Sequence, residues 1–507
     1  MVVKILIWLE GFSPQFANAK SISNKTDYDL YAIINVNRAK PFYQNQKFIE
    51  FKKSWYYRDC FNKKLKEPDL NYLSKFEKKY NINIWQLAYS DINFNKFNKY
   101  YRFNASQILS IFEQECRFFE AILDEINPNF LLIRITDDQG SQLLQQMCNA
   151  SGIITLTQEF SRLGLREIIS SAHEHGRIPA LGSPDTINSY KNNETDKKFT
   201  FEELRNYSQK YVKQENVFRD NYKTSKLNWL KGAIQYTKVL SDPKYNDYYG
   251  NYGKNILSVI KNESLFFLKK KSMKSFLDRY AKSNIDENEK FVYFPLQLEP
   301  ERTLFIPAPF YSNQLDVMTN IARSLPIDFK LYVKEHPMQV VYAWRDSSYY
   351  KQILDLPNIE LIHPNFSNRT LLENCSMVIT ITGTLGLEAS FYAKPTIVLS
   401  DTIYSELPSV HRLTDYEELP ILIKEVMGQE VKVDDVNSFI NKTINNSFEF
   451  DSETLLVLFN NEFYFGGFLF DHNVPIDKVA KFLDKYKEFF DKLADEHIKK
   501  INRLSSL

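Results

Sequence analysis

Two short segments of this sequence bring together the residue types that handle phosphate. In Leu331-Tyr332-Val333-Lys334-Glu335-His336-Pro337 an apolar run ends on a fixed positive charge, a titratable imidazole and a proline that stops the strand. Lys334 and His336 at a strand end suit a diphosphate, or the protonation of a departing phosphate. In Val378-Ile379-Thr380-Ile381-Thr382-Gly383-Thr384, Gly383 permits a tight turn and a close backbone approach. The helix that follows aims its free N–H groups and positive dipole end at the same place. Glu388, one helical turn on, can accept hydrogen bonds from ribose hydroxyls. The plainer alternative is a strand-to-helix turn with Thr as its cap.

A third cluster, Pro295-Leu296-Gln297-Leu298-Glu299-Pro300-Glu301, sets an amide and two carboxylates among prolines, as a rigid polar loop facing a cleft or as a solvated acidic one. In the first half of the chain, Asp137 and Asp138 follow the apolar run Phe130–Ile135, and Glu159 follows Thr155-Leu156-Thr157-Gln158. These three are candidates for a base toward an acceptor hydroxyl, or for a nucleophile. Asp138 serves equally well as a helix cap, and Glu10, before Gly11, as part of a turn.

The elements that must position these groups alternate. Candidate strands in the first half are Val3–Leu9, Leu30–Val36, Ile82–Ala88, Phe130–Ile135 and Ile153–Leu156, with helical periodicity over Ala105–Ile126 and Gln139–Ala150. From about Gly164 to Glu289 the sequence turns polar, with helical patches at Phe201–Glu215 and Trp229–Leu240, a Pro/Gly-marked loop at Ile178–Asp185 and no clear strand. A second alternation runs from strand Phe291–Pro295 through helix Gln314–Ser324, strands Phe329–Lys334 and Ile359–Ile362, helix Arg369–Cys375, strand Met377–Thr382 and helix Leu385–Tyr392 to strand Thr396–Leu399. The tail Ile476–Leu504 reads as one amphipathic helix, expected to dock on the core rather than on a partner or a membrane.

This organisation predicts an α/β protein of two Rossmann-like domains facing a cleft. The segments are an acceptor-side domain at 1–163, a helical insert at 164–289, a nucleotide-binding domain at 290–430 and a helical region at 431–507. Composition is that of a globular chain, 43% hydrophobic and 25% charged. With 64 basic and 63 acidic residues no whole-chain field gathers nucleic acid, so anion binding must be local. Four scattered cysteines lack metal-site spacing and read as free thiols in a reducing, cytoplasmic setting. No stretch approaches the ~20 apolar residues of a membrane span.

Together, the motifs Phe294–Glu301, Tyr332–Pro337 and Thr380–Ala389 with Lys394-Pro395 resemble the capsule polysaccharide biosynthesis family, and Tyr404–Val410 is similar to the loop that follows in it. That family is similar to capsule Kdo transferases of GT-B architecture. The resemblance implies glycosyl transfer from a nucleotide sugar, CMP-linked Kdo or another ulosonic acid first and UDP-sugars second, to a glycan or lipid-linked acceptor. It implies that Lys334, His336 and Pro337 meet the phosphate, that Thr382, Gly383 and Thr384 cradle it and that Glu388 holds the ribose, with Gln297, Glu299 and Glu301 beside them. No metal or further cofactor is expected, and contact with the inner membrane or assembly machinery stays open. Competing readings are a teichoic-acid-type glycerophosphotransferase, a nucleotide-sugar epimerase of the same fold and a non-catalytic assembly scaffold.

Overall fold

The computed structural model describes residues 2–62, 65–134, 138–171, 197–207, 226–286, 288–339 and 345–506. In the first half, β1 (Lys4–Leu9), β2 (Asp29–Ile34), β3 (Lys53–Tyr56), β4 (Phe130–Arg134), β5 (Ile154–Phe160) and β6 (Arg166–Ser171) build a sheet. In the second half, β7 (Phe291–Pro295), β8 (Lys330–Lys334), β9 (Ile359–Ile362), β10 (Met377–Thr380), β11 (Thr396–Val398) and β12 (Val410–Arg412) build another, and β13 (Phe448–Glu449) returns to the first. The first sheet runs β13-β6-β5-β4-β1-β2-β3, parallel except for the antiparallel pairs of β6 with β5 and β13. The second runs β12-β11-β10-β7-β8-β9 and is parallel throughout. Its strands in chain order therefore occupy the sheet as 3-2-1-4-5-6, with the order reversing between β7 and β10. That doubly wound order opens a crevice outside the carboxyl ends of those two strands.

Strands covered on both faces need apolar residues at every position, and β7 and β10 have them, each buried along its whole length. The helices Ala105–Ile126 and Gln139–Ala150 have the bounds their periodicity predicts, the first closed by an Asn104–Gln107 capping box. Ile82–Ala88 is not a strand. The Asn83 side chain caps the helix Ile84–Ser90 by accepting from the Gln86 N–H at 2.9 Å, and a short apolar run is ambiguous until such a cap decides it. The segment after Gly164 begins with a strand, β6, whose alternation in Glu167-Ile168-Ile169 is too short to stand out. Of the expected helix Phe201–Glu215, 201–207 is helical and the remainder lies outside the described residues, as does the loop Ile178–Asp185. Trp229–Leu240 lies within the helix Lys226–Leu240, and a further long helix, Ile256–Tyr280, precedes the second sheet.

The tail docks on the first domain. It is two helices, Ile476–Lys485 and Lys487–Ser505, because the chain leaves helical geometry at Tyr486 (φ −110°, ψ 21°). Phe459, Phe463 and Phe482 pack around Phe12, with ring centroids at 5.1, 4.8 and 6.2 Å. Leu493, Ala494 and Ile501 complete the cluster over β1 and β2. His497 is buried among them, its Nδ1 donating to the Leu493 carbonyl at 2.9 Å. Burial pushes its pKa down to about 4. An unfolded imidazole titrates near 6.5, so between about pH 6.5 and 4 only the unfolded chain takes the proton, and stability falls as the pH drops. Urea unfolding at pH 7 and pH 4.5 is expected to show this as about 2–3 kcal/mol that His497→Gln does not lose. Equal losses in both proteins would remove His497 from the acid response.

Candidate functional site

The phosphate-type motifs follow β8 and β10, on either side of β7 in the second sheet. Lys334 is the last residue of β8, and alternation along the strand sends Lys334 and Glu335 to opposite faces. Lys334 is buried, and its ammonium donates to Asn368 Oδ1, which also accepts from the Tyr293 hydroxyl at 3.2 Å. Burial lowers the Lys334 pKa to about 8, while the nearby Glu388 charge acts to raise it. Lys334 and Glu388, on different elements, thus share one electrostatic neighbourhood.

Glu335, on the other face, is fully buried and accepts two bonds from Arg345 Nη1 at 2.6 and 2.8 Å. It also accepts from the Tyr350 hydroxyl at 2.7 Å and from the His336 N–H at 2.6 Å. Arg345 Nη2 donates to the Gln297 carbonyl at 2.7 Å and lies 3.4 Å from Glu299. One guanidinium therefore ties the loop after β7 to the loop after β8. His336 is half-buried, and its Nδ1 accepts the Met338 N–H at 3.2 Å, which leaves the ring proton on Nε2 when the imidazole is neutral. Pro337 is exposed beside it.

The loop after β7 is not a solvated one. Gln297 and Glu299 are buried, and only Glu301 is exposed, its carbonyl accepting the N–H groups of Leu304 and Phe305. Gln297 donates to Thr380 Oγ1 at 3.1 Å and exchanges bonds with Gln314 through its backbone. Glu299 accepts from Gln314 at 2.8 Å, and its backbone exchanges bonds with Gln339. These polar side chains satisfy backbone groups at the end of a buried sheet, which is why they stand among prolines.

Gly383 follows β10 in the adjoining turn. A Cβ there would fall 2.7 Å from Gln297 Nε2 and 2.8 Å from Thr380 Oγ1, and one at Gly386 would fall 2.5 Å from the Tyr404 hydroxyl. The glycines let the turn press against the β7 loop and against Tyr404, whose hydroxyl donates to the Gly383 carbonyl. Thr382 is buried; Thr384 occupies the cap position without a side-chain cap bond, so the plain-cap alternative does not describe it. The helix that follows, Leu385–Phe391, has only seven residues, and its dipole contributes less than a long helix would.

In the first domain a cavity of about 340 Å³ opens at the carboxyl ends of β1, β2 and β4, lined by Glu10, Asn35, Arg58, Arg134, Asp138 and Asp471 among others. Asp471 comes from the returning chain. It accepts the N–H groups of Asn37 (3.1 Å) and Arg38 (2.8 Å) and pairs with Arg58 at 2.9 Å. Arg58 also donates to Asn35 Oδ1 at 3.0 Å and lies over the Tyr248 ring. Asp138 faces this cavity while one of its oxygens caps Gln139–Ala150 through the Ser141 N–H at 2.7 Å. Glu159 is elsewhere: β5 continues through Phe160, and Glu159 is buried in the ladder with β6, accepting from Ser170 Oγ at 2.7 Å. Asp137 lies outside the described residues. Arg58, Arg134 and Asp471 carry no sequence motif. Among the described residues no group of three or more His, Cys, Asp or Glu is placed to hold a metal, and no helix is long and apolar enough to cross a membrane.

Residues 184–420 match the sequence profile of a family described as capsule polysaccharide biosynthesis protein. That stretch is similar to the capsule polysaccharide biosynthesis family. All three motif segments of the family lie inside the matched range, and the first-domain cavity lies outside it. No curated protein matches the chain. Solved structures similar to this chain include UDP-GlcNAc 2-epimerase from Methanocaldococcus jannaschii, at 13% identity over 85% of this chain and 94% of that one, TM-score 0.24. The KpsC beta Kdo 2,7 transferase of Thermosulfurimonas dismutans is 12% identical over 68% of this chain and 89% of that one, TM-score 0.31. The beta Kdo 2,4 transferase of the same organism's KpsC is 9% identical over 65% and 87%, TM-score 0.31. The two-sheet GT-B-like fold rests on the strand orders above.

Proposed function

We propose that this protein is a glycosyltransferase that holds a nucleotide sugar at the reversal point of its second sheet and passes the sugar to a glycan or glycolipid acceptor at the first-domain cavity. The observation that supports the reading is that Lys334, at the carboxyl end of β8, and Glu388, in the helix after β10, lie close enough to interact electrostatically. Lys334 neutralises the diphosphate or phosphate, with Glu388 beside it to accept from ribose hydroxyls. His336 donates through Nε2 to the leaving phosphate, and the backbone N–H groups of 382–384 line the same anion. On the acceptor side Asp138 serves as base, in a cavity whose walls also carry Arg58 and Arg134. A CMP-linked ulosonic acid such as Kdo is the first donor to try, with UDP-sugars second.

A thermal-shift screen against CMP, CDP, UDP, GDP and ADP tests the reading. A nucleotide at about 100 times its Kd is expected to stabilise the fold by ~2.7 kcal/mol, and no shift with any of the five would sink it.

The Lys334 titration supplies a second test. Only the ammonium form attracts phosphate, so affinity for that nucleotide is expected to hold from pH 6 to about 8 and then fall about tenfold per pH unit. Lys334→Met should bind weakly at every pH, without that limb. A flat wild-type profile to pH 9.5 would separate Lys334 from the anion.

A further inference from the structure

The helices Lys226–Leu240 and Ile256–Tyr280 leave an apolar face open. On the second helix Leu257, Ile260, Leu265, Phe267 and Leu268 are all exposed, Leu257 at 80% and Phe267 at 67%. At 100° per residue they fall on the arc opposite Phe266, Met273 and Leu277, the residues that seat the helix on the second domain. The first helix repeats the arrangement with Leu227, Leu230 and Ile234, each more than half exposed. The helices are neighbours: Tyr236 of the first and Glu263 of the second interact electrostatically, and the intervening Lys99 lies over the Phe266 ring.

Charge distinguishes this face from an ordinary protein interface. The two helices hold nine Lys and Arg against two Asp and Glu, a net of +7, in a chain whose formal net charge is +1. Lys261, Lys271 and Lys274 are exposed among or beside the apolar side chains. A second copy brought face to face would set +7 against +7, so self-association is disfavoured. Apolar and aromatic residues interleaved with lysine suit the surface of an anionic bilayer, where the rings enter the acyl boundary and the ammonium groups reach up to the headgroups.

We infer that the outer face of these two helices docks the protein on an anionic lipid surface. The far end of the first helix is pinned to the loop after β2, where Arg38 donates to the Val239 carbonyl at 3.2 Å and to Asp242 at 2.7 Å. Asp471 of the first-domain cavity holds the same loop, so the docking face and that cavity are joined by a short rigid path. The inference stands on this surface and does not require glycosyl transfer.

Vesicle flotation of the full chain tests it, with nucleotide thermal shifts as an independent readout of the proposed nucleotide site. The protein is expected to float with phosphatidylcholine vesicles containing about 30% phosphatidylglycerol, and about tenfold less with phosphatidylcholine alone. The variant Leu257→Ser/Ile260→Ser/Phe267→Ser/Leu268→Ser should lose flotation about tenfold, and Lys261→Gln/Lys271→Gln/Lys274→Gln should lose the preference for anionic vesicles. Both should keep the wild-type unfolding midpoint and nucleotide response, since these side chains are exposed and none is among Phe266, Met273 and Leu277, which seat the helix. Absence of flotation, or flotation unchanged in both variants, would overturn the inference. A wild-type dimer that the serine variant converts to monomer would also overturn it, by giving the face to a second copy.

Discussion

Arg345→Leu is expected to destabilise the protein by about 3–5 kcal/mol, the cost of stranding a buried charge. Arg345 and Glu335 are 2% and 0% exposed, so neither can turn to water when its partner is lost. With the guanidinium gone, the Glu335 carboxylate keeps, among the described residues, the Tyr350 hydroxyl and the His336 N–H as donors. The Gln297 carbonyl also loses one of its two donors and keeps only the longer bond from Gln314 Nε2, which loosens the loop that presses on Gly383. Nucleotide affinity should therefore fall along with the urea midpoint. Removing both charges in Glu335→Leu/Arg345→Leu is expected to recover more than half of the lost stability, because a buried pair contributes little net while a buried single charge costs much. A single-variant loss under about 1 kcal/mol would mean that water reaches Glu335 after all.

The second large effect is kinetic. His336→Ala is expected to slow sugar transfer by about 10²–10³-fold, the range for a lost hydrogen-bond donor to charge developing on the leaving phosphate. Its unfolding midpoint should move by less than about 1 kcal/mol, since the ring is half-buried and packs little core. Asparagine separates two roles for this residue. His336→Asn can still accept the Met338 N–H and so preserve the shape of the loop, but it is too short to place a donor where Nε2 stood. Slow transfer in both variants assigns the hydrogen bond to the leaving phosphate to His336. Full activity in His336→Asn would reduce the residue to a loop former.

The second domain was largely legible in the sequence for a physical reason. Its strands are covered on both faces and punctuated by prolines and glycines, so Phe291–Pro295, Gln314–Ser324 and Ile359–Ile362 have the bounds that their apolar runs predict. Where a run was short the reading failed, as at Ile84–Ser90, decided by the Asn83 cap, and at β6, visible only beside its antiparallel neighbour. The tail was legible as an apolar stripe, but not its interruption at Tyr486.

The candidate site divides along the same line. Lys334, His336 and Gly383 stand in motifs with local geometry. Arg345 meets Glu335 across a loop, and Asp471 meets Arg58 from more than four hundred residues away, so pairings of this kind leave no local trace. Gln297 and Glu299 show the converse: motif residues whose observed bonds lock the loop in place, as Glu159 shows for a carboxylate inside a ladder.

The packing of Phe459, Phe463 and Phe482 around Phe12 has a consequence for biosynthesis. A ribosome makes the first sheet early, yet the aromatic lid of that sheet is encoded more than four hundred residues later. At about 5–20 residues per second the nascent chain carries Phe12 and Phe16 without their lid for roughly 20–90 s. The second domain can complete its own core in that interval, so vectorial folding here runs out of order, with the N-terminal domain the last to close. A chaperone that shields exposed aromatic clusters would find its longest-lived target in the first forty residues rather than at the growing end.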